Sequence, residues 1–296
     1  MYKRQVLSYG YGGSLHGKFG VVSDKTGVLL TPDAAGDEPV MLASDMPGVP
    51  VLVCKHRTTS GRVAIRDAGA DVLVLDDGFQ VWKLHRDLDI VLVNASKPFD
   101  NGRVLPAGRL RETLAALKRA DCVIITGDCE PDIREQTLSR IRKTAPDMPV
   151  YHGRYKPSSV KLPADGSEME VEAIRGRNIL ALSAIANPDS FEETLAATGA
   201  KIVGTERFPD HYLYSAKDID NINKSAAASC ADYIITTDKD AVKLTNFKFT
   251  VPIATLRIQL ELDDETGFWE TVARRIGSPS DRKESLDFQW QKRHLL

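Results

Sequence analysis

Four apolar residues, Val72-Leu73-Val74-Leu75, run straight into Asp76-Asp77-Gly78-Phe79-Gln80. Nothing in the run alternates, so it predicts a strand buried on both faces of a parallel sheet. Ligands of such sheets sit beyond the carboxyl ends of the strands, which is where Asp76 and Asp77 stand. Paired carboxylates at that place suit Mg²⁺, as in the Walker B strand of P-loop phosphotransferases. A helix N-cap followed by a turn at Gly78 is the purely structural alternative.

The flanking chain repeats the same grammar. Val49–Val53, Leu88–Val93 and Cys122–Thr126 predict further strands, and Thr59–Ala68 and Pro131–Thr144 predict helices. Strand and helix in alternation give an α/β domain with a mostly parallel sheet. Val150–Val160 and Glu168–Ile174 then alternate around Pro163-Ala164-Asp165-Gly166, which predicts a two-stranded connector and a domain boundary near residue 155. Strands at Ile179–Leu182, Lys201–Val203, Tyr233–Ile235 and Val251–Leu262, with helices at Asp189–Thr198, Ala216–Cys230 and Phe268–Ile276, predict a second, smaller α/β lobe over 156–277. Residues 278–296 are polar and charged and predict a flexible tail.

Bulk properties exclude several classes. A formal net charge of −2 over 296 residues gives no drive towards nucleic acid. The four cysteines form no Cys-x-x-Cys pair, which argues against a zinc site and fits a reducing compartment. No apolar run is long enough to span a bilayer. Met1–Gln5 could be encoded by a GTG start followed by bases matching a transposon-type sequencing adaptor, so the expectation is an assembly scar with the gene beginning upstream.

Several junctions could carry chemistry. Gly12–Lys18 has Walker A spacing, but Phe19 stands where the Mg²⁺-binding hydroxyl belongs, and Gly20-Val21-Val22-Ser23 is a poor helix start. A glycine-rich turn between short strands is therefore expected. Gly36-Asp37-Glu38-Pro39 reads as a helix start with acids placed for the dipole; it could equally serve a metal or a proton transfer. The basic trio Lys55-His56-Arg57 ends a strand and could meet phosphate. Pro106 and Gly108 fix a loop, and Arg109 and Arg111 open a predicted helix running to Arg119, against the dipole, which hints at an anion. His211 lies among Phe208, Asp210, Tyr212 and Tyr214 in a loop before a helix, a candidate acid–base group. Thr236–Leu244 forms a second strand-to-polar junction.

Together these segments resemble one family, the tetraacyldisaccharide 4′-kinases of lipid A biosynthesis. The resemblance rests on Leu7–Gly13, Gly36–Pro39, Asp76–Gln80, Arg86–Asp89, Asn101–Glu112, Ala184–Pro188, Phe208–Tyr214 and Thr236–Leu244, in the family's order. It implies a P-loop-kinase-like domain and a second α/β lobe joined by a two-stranded hinge. It implies ATP and Mg²⁺, and an acylated glucosamine disaccharide 1-phosphate as the substrate phosphorylated at its 4′-hydroxyl. By position, Asp37 would deprotonate the hydroxyl with His211 as its partner. Asp76 and Asp77 would act on Mg²⁺ and ATP, with Glu38 joining the metal shell. Gln80, Arg57, Arg109 and Arg111 would contact substrate. The resemblance also implies a peripheral place on the cytoplasmic face of the bacterial inner membrane, through an N-terminal segment.

Departures from the family pattern are Tyr9 for a usual Arg, Val81 for a frequent His, Arg109 for a common Pro, and no Walker A loop ahead of the Gly10–Gly13 strand. The expectation is a fragment with little kinase activity of its own. Alternatives are a pseudokinase that binds a lipid A precursor, or another P-loop-related enzyme such as an ATP-dependent ligase or a GTPase-like carrier. A Rossmann dehydrogenase lacks its glycine pattern here.

Overall fold

The side chains of the first strand, β1 (Arg4–Ser8), alternate between two cores, and this sets the local architecture. Val6 packs with Val22, Ala35, Val40, Ala43, Val51 and Val53, while Leu7 faces the other way onto Leu52 and Ala64. The computed structural model describes residues 3–163 and 165–277. They divide into two compact units, one running to residue 78 and resuming over 156–258, the other of 79–155 and the described residues from 259 on.

In the first unit, β1 is followed by β2 (Gly20–Ser23), helices α1 (Pro32–Ala35) and α2 (Asp37–Asp45), β3 (Val51–Val53), α3 (Arg57–Ala68) and β4 (Val72–Leu75). The sheet order is β2-β3-β1-β4, with β1 parallel to both neighbours and β2 antiparallel to β3. This corrects one expectation. β4 is an edge strand, not one buried on both faces, and Val74 is 50% exposed. The uninterrupted apolar run reads the same at the edge of a parallel sheet as at its centre; β1 takes the central place.

The second unit begins after Gly78 and holds β5 (Ile90–Asn94), β6 (Cys122–Thr126), α4 (Pro131–Thr144) and the first half of β7 (Val150–Lys161), all three strands parallel. Val93, Val123, Ile125 and Ile141 form the core on one face. The predicted helix over Arg109–Arg119 is shorter than expected. Asn101 accepts from the Arg103 amide and donates to the Ala107 carbonyl, and the Leu105 amide bonds to the Leu110 carbonyl. These local bonds hold a folded loop through residue 110, and only Leu114–Arg119 is helical, as a 3₁₀ turn.

The chain re-enters the first unit within β7. Its end pairs antiparallel with β8 (Glu168–Met169), and Val171–Ile174 is a 3₁₀ turn, so the predicted second strand of the connector is shorter than expected. Then follow β9 (Asn178–Ser183), α5 (Pro188–Ala197), β10 (Lys201–Arg207), α6 (Ala216–Ala228), β11 (Tyr233–Thr236), α7 (Asp238–Leu244) and β12 (Ile253–Leu262). β10, β9, β11 and β12 lie side by side and parallel. α5 covers one face through Phe191 and Leu195, and α6 the other through Ile219, Ile222 and Ala226. β12 carries the chain back to the second unit, where α8 (Glu265–Ile276) packs Phe268 and Val272 on Cys122, Ile124 and Tyr151.

The expected division into 1–155 and 156–277 meets one of these crossings, within β7. The others, after Gly78 and within β12, make both units discontinuous in sequence. The predicted tail over 278–296 lies outside the described residues. Among the described residues no helix is long and apolar enough to cross a membrane.

Candidate active site

Asp37 is the first residue of α2, and a glycine places it there. Gly36 has φ +94°, and a Cβ on it would stand 2.4 Å from the Tyr11 carbonyl oxygen. Gly13 is equally constrained, since its Cβ would meet the Ala34 carbonyl at 2.4 Å. The Gly10–Gly13 turn thus lies directly on the α1–α2 junction, an approach only glycine permits. Lys18 and Phe19 lead into strand β2, not a helix, so the Gly12–Lys18 loop lacks the helix N-terminus that makes a phosphate cradle.

The Asp37 side chain is 7% exposed. Its Oδ1 accepts from the Glu38 amide at 3.0 Å, and both oxygens face His211 Nδ1, at 3.1 and 3.0 Å. His211 reaches it from the loop between β10 and α6. That loop is pinned by Phe208, Tyr212 and Tyr214, whose rings pack on one another 4.8–5.6 Å apart. His211 itself has φ +60°, and its amide donates to Asp210 Oδ1. A left-handed histidine costs conformational energy, and such strain concentrates at functional positions.

Two lysines one turn apart on α7, which packs against α2, complete the cluster. Lys239 Nζ lies 3.0 Å from Asp210 Oδ1, 3.3 Å from His211 Nε2, 3.4 Å from Glu38 Oε1 and 4.0 Å from Asp37 Oδ2. Burial pushes its pKa down, but the Asp210 hydrogen bond and the charges of Asp37 and Glu38 outweigh this, and the net movement is upward. Burial likewise works against ionisation of Asp210, and Lys239 overcomes it to hold that carboxyl below its ordinary range. Lys243 Nζ, 4% exposed, is 2.8 Å from Asp240 Oδ1 and 3.8 Å from Asp37 Oδ2. Asp240 is fully buried; its Oδ2 accepts from the Ala184 amide and the Thr237 hydroxyl, both at 2.8 Å. This ties the Ala184–Pro188 and Thr236–Leu244 segments together. Chemically, the cluster is a shielded carboxylate with an imidazole on one side and ammonium groups on the other, able to accept a proton from a hydroxyl.

Asp76 directly follows β4, beside the end of β1, where its Oδ2 accepts from Ser8 Oγ at 2.8 Å. Asp77 follows with φ +50°. Arg57 occupies a different place from the one expected. It is 3% exposed and donates to the carbonyls of Cys54, at 2.6 Å, and Asp76, at 3.4 Å, with its guanidinium over the Tyr9 ring. Burial pushes its pKa down against the opposing pull of Asp76 and Asp77. It is a strut under the carboxylate turn; a side chain this enclosed is not presented to a substrate. Glu38, on the same turn as Asp37, is half exposed, with its Oε1 3.4 Å from Lys239 Nζ.

Gln80, Arg109 and Arg111 belong to the second unit. Gln80 Nε2 donates to Glu112 Oε1 at 3.0 Å; Glu112 also takes two bonds from Arg119, whose guanidinium lies over the rings of Phe79 and Trp82. Arg109 and Arg111 are exposed on the loop before the 3₁₀ turn.

The family model described as tetraacyldisaccharide-1-P 4′-kinase matches residues 1–277. The chain belongs to this family. A tetraacyldisaccharide 4′-kinase of Syntrophus aciditrophicus is 37% identical over 280 residues, covering 92% of this chain and 75% of the relative. One of Anaeromyxobacter dehalogenans is 42% identical over 243 residues, covering 81% of this chain and 63% of the relative. The crystal structure of LpxK from Aquifex aeolicus in complex with ATP superposes with a TM-score of 0.73 at 26% identity, over 93% of this chain and 80% of that one. This family member therefore spans about two thirds to three quarters of the length of the curated relatives it matches.

Lys239, Lys243, Asp210 and Ser8 received no role from sequence reasoning. For the lysines a signal existed. Lys239 and Lys243 stand four apart beside Asp238 and Asp240, and a lysine in the first turn of a helix opposes the dipole. Ser8 carries no such signal, because only strand pairing brings it to Asp76.

Proposed function

We propose that this chain serves ATP-dependent phosphorylation of the 4′-hydroxyl of tetraacyldisaccharide 1-phosphate in lipid A biosynthesis. The observation that carries the reading is the contact of Asp37 with His211 across 174 positions of sequence, in a chain of this family. Asp37 takes the hydroxyl proton, and His211 orients its carboxylate. ATP as the donor is supported by the ATP-bound relative.

The residues at the end of β4 fit Mg²⁺. Asp76 keeps one carboxylate oxygen on Ser8, Asp77 adjoins it, and Mg²⁺ is commonly held by one or two carboxylates with phosphate oxygens filling the rest. When bound there, the ion neutralises charge on the transferring phosphate. Arg57 keeps the turn that carries both carboxylates in place. Arg109 and Arg111, exposed and cationic, suit the substrate phosphate, and Gln80 orients Glu112 and Arg119 beside them. The acylated substrate places the protein peripherally on the cytoplasmic face of the inner membrane.

Transfer of labelled γ-phosphate to the disaccharide tests this. Asp37→Asn and His211→Asn are expected to lower transfer about 10²–10⁴-fold with ATP binding retained by calorimetry. Undiminished transfer by Asp37→Asn overturns the reading. A second reading is favoured by one observation. The only Gly-Lys of the chain is followed by Phe19 and a strand, so no P-loop hydroxyl or helix is supplied by these residues. On that reading the chain binds the lipid A precursor and transfers little phosphate, and the rate of the unmodified chain decides between the two.

A further inference from the structure

His211 is faced by four groups from four segments: Asp37 from α2, Lys239 from α7, Asp210 from its own loop, and the Tyr11 ring, edge-on at 5.6 Å, from the turn after β1. The two ring nitrogens meet opposite partners. Nδ1 faces both oxygens of a carboxylate, an acceptor only. Nε2 faces an ammonium at 3.3 Å, which has three hydrogens and no lone pair. The three Lys239 hydrogens have three acceptors in reach: Asp210 Oδ1 at 3.0 Å, His211 Nε2 at 3.3 Å and Glu38 Oε1 at 3.4 Å.

We propose that Lys239 is a positioning residue that holds His211 as the neutral Nδ1–H tautomer, so that the ring donates to Asp37 and does not receive its proton. A proton relay from Asp37 into the imidazole needs a free lone pair on Nδ1. The ring would then carry its hydrogen on Nε2, pointing at an ammonium that cannot accept it. An imidazolium meets the same obstacle, since Asp210 Oδ2 is 3.8 Å from Nε2 and the carboxylate already serves Lys239. Both neighbours therefore select one tautomer, and the arrangement is set before any substrate arrives.

The inference deepens the kinase reading, and for the reaction itself it rests on it. As the 4′-oxygen forms its bond to the γ-phosphorus and the bond from that phosphorus to the bridging oxygen of ADP breaks, the hydroxyl proton goes to an Asp37 oxygen. It remains there until it exchanges with water after the product leaves. His211 keeps its Nδ1 proton throughout and aims the carboxylate.

Long-range ¹H–¹⁵N correlation on the ¹⁵N-labelled full chain at neutral pH tests this, with His211→Asn assigning the ring among the six histidines. The expected spectrum shows Nδ1 protonated and Nε2 unprotonated. Lys239→Arg, which keeps a cationic donor, is expected to retain it. In Lys239→Met, Nε2 is expected to gain a proton, with Asp210 as acceptor. A protonated Nε2 in the unmodified chain overturns the proposal, even if the Met variant does not fold. So does a folded Lys239→Met chain whose His211 signals match the unmodified one. Phosphate transfer plays no part in the readout, so a failure here and a failure of the kinase reading are told apart.

Discussion

Asp240→Ala tests how the site is held together. Asp240 is fully buried and Lys243 is 4% exposed, with 2.8 Å between Nζ and Oδ1. At that separation, with both side chains out of water, the opposite charges hold the pair. Removing the carboxylate leaves an ammonium whose remaining anion is Asp37 Oδ2, at 3.8 Å. Breaking a buried pair from one side costs about 3–5 kcal/mol. The Ala184 amide and the Thr237 hydroxyl lose their acceptor as well, at about 1–3 kcal/mol for a buried donor left unmade. Because Lys243 keeps part of its compensation in Asp37, a total of about 4 kcal/mol is expected. For a folding unit of this size that corresponds to a fall in Tm of roughly 8–16 °C. Urea unfolding followed by circular dichroism measures it. Asp240→Asn keeps an acceptor for both donors and is expected to lose about half as much. The double change Asp240→Ala with Lys243→Met removes both charges and should recover at least about 2 kcal/mol relative to Asp240→Ala. A loss below about 1 kcal/mol in Asp240→Ala, or a double variant no more stable than that single one, refutes the reasoning.

Two further outcomes are expected. Gly36→Ala drives a Cβ to 2.4 Å from the Tyr11 carbonyl at φ +94°, so it should destabilise the chain by about 1–3 kcal/mol and lower Asp37-dependent transfer, read by thermal melting and the labelled-phosphate assay. Hydrogen bonds from Arg119, opposed by burial and supported by Gln80, hold Glu112 below its ordinary 4.5. A depressed carboxyl contributes stability that is present above the unfolded value and lost as pH falls through the folded one. Glu112→Gln should therefore be less stable than the unmodified chain at pH 7, and the gap should close on acidification below about pH 4. Melting curves between pH 3 and 7 show this, and a gap independent of pH rules it out.

Much of the first-level architecture is local and could be read directly. β6 and α4 have the bounds their apolar runs and the Pro131 start indicate, and α3 ends at Gly69 in the left-handed cap that glycine favours. Gly36-Asp37-Glu38-Pro39 opens α2 as its acids and proline direct. Where the readings went astray, a distant partner decided. The run Val72–Leu75 specifies a strand; its place at the edge depends on β1 claiming the centre. Arg57 looks like a phosphate ligand beside a strand end, yet the carbonyls of Cys54 and Asp76 turn it inward.

The amino-acid order determined the strand–helix alternation, the glycine turn and the carboxylates at helix and strand ends, because dihedral preferences, capping and periodicity act over a few residues. Which charge faces which was decided only in three dimensions. Asp37 meets His211, Lys239 and Lys243 because α2 packs on α7 and an aromatic-pinned loop lies over both. No local rule carries the position of a group some two hundred residues away, and a buried charge takes its properties from those neighbours.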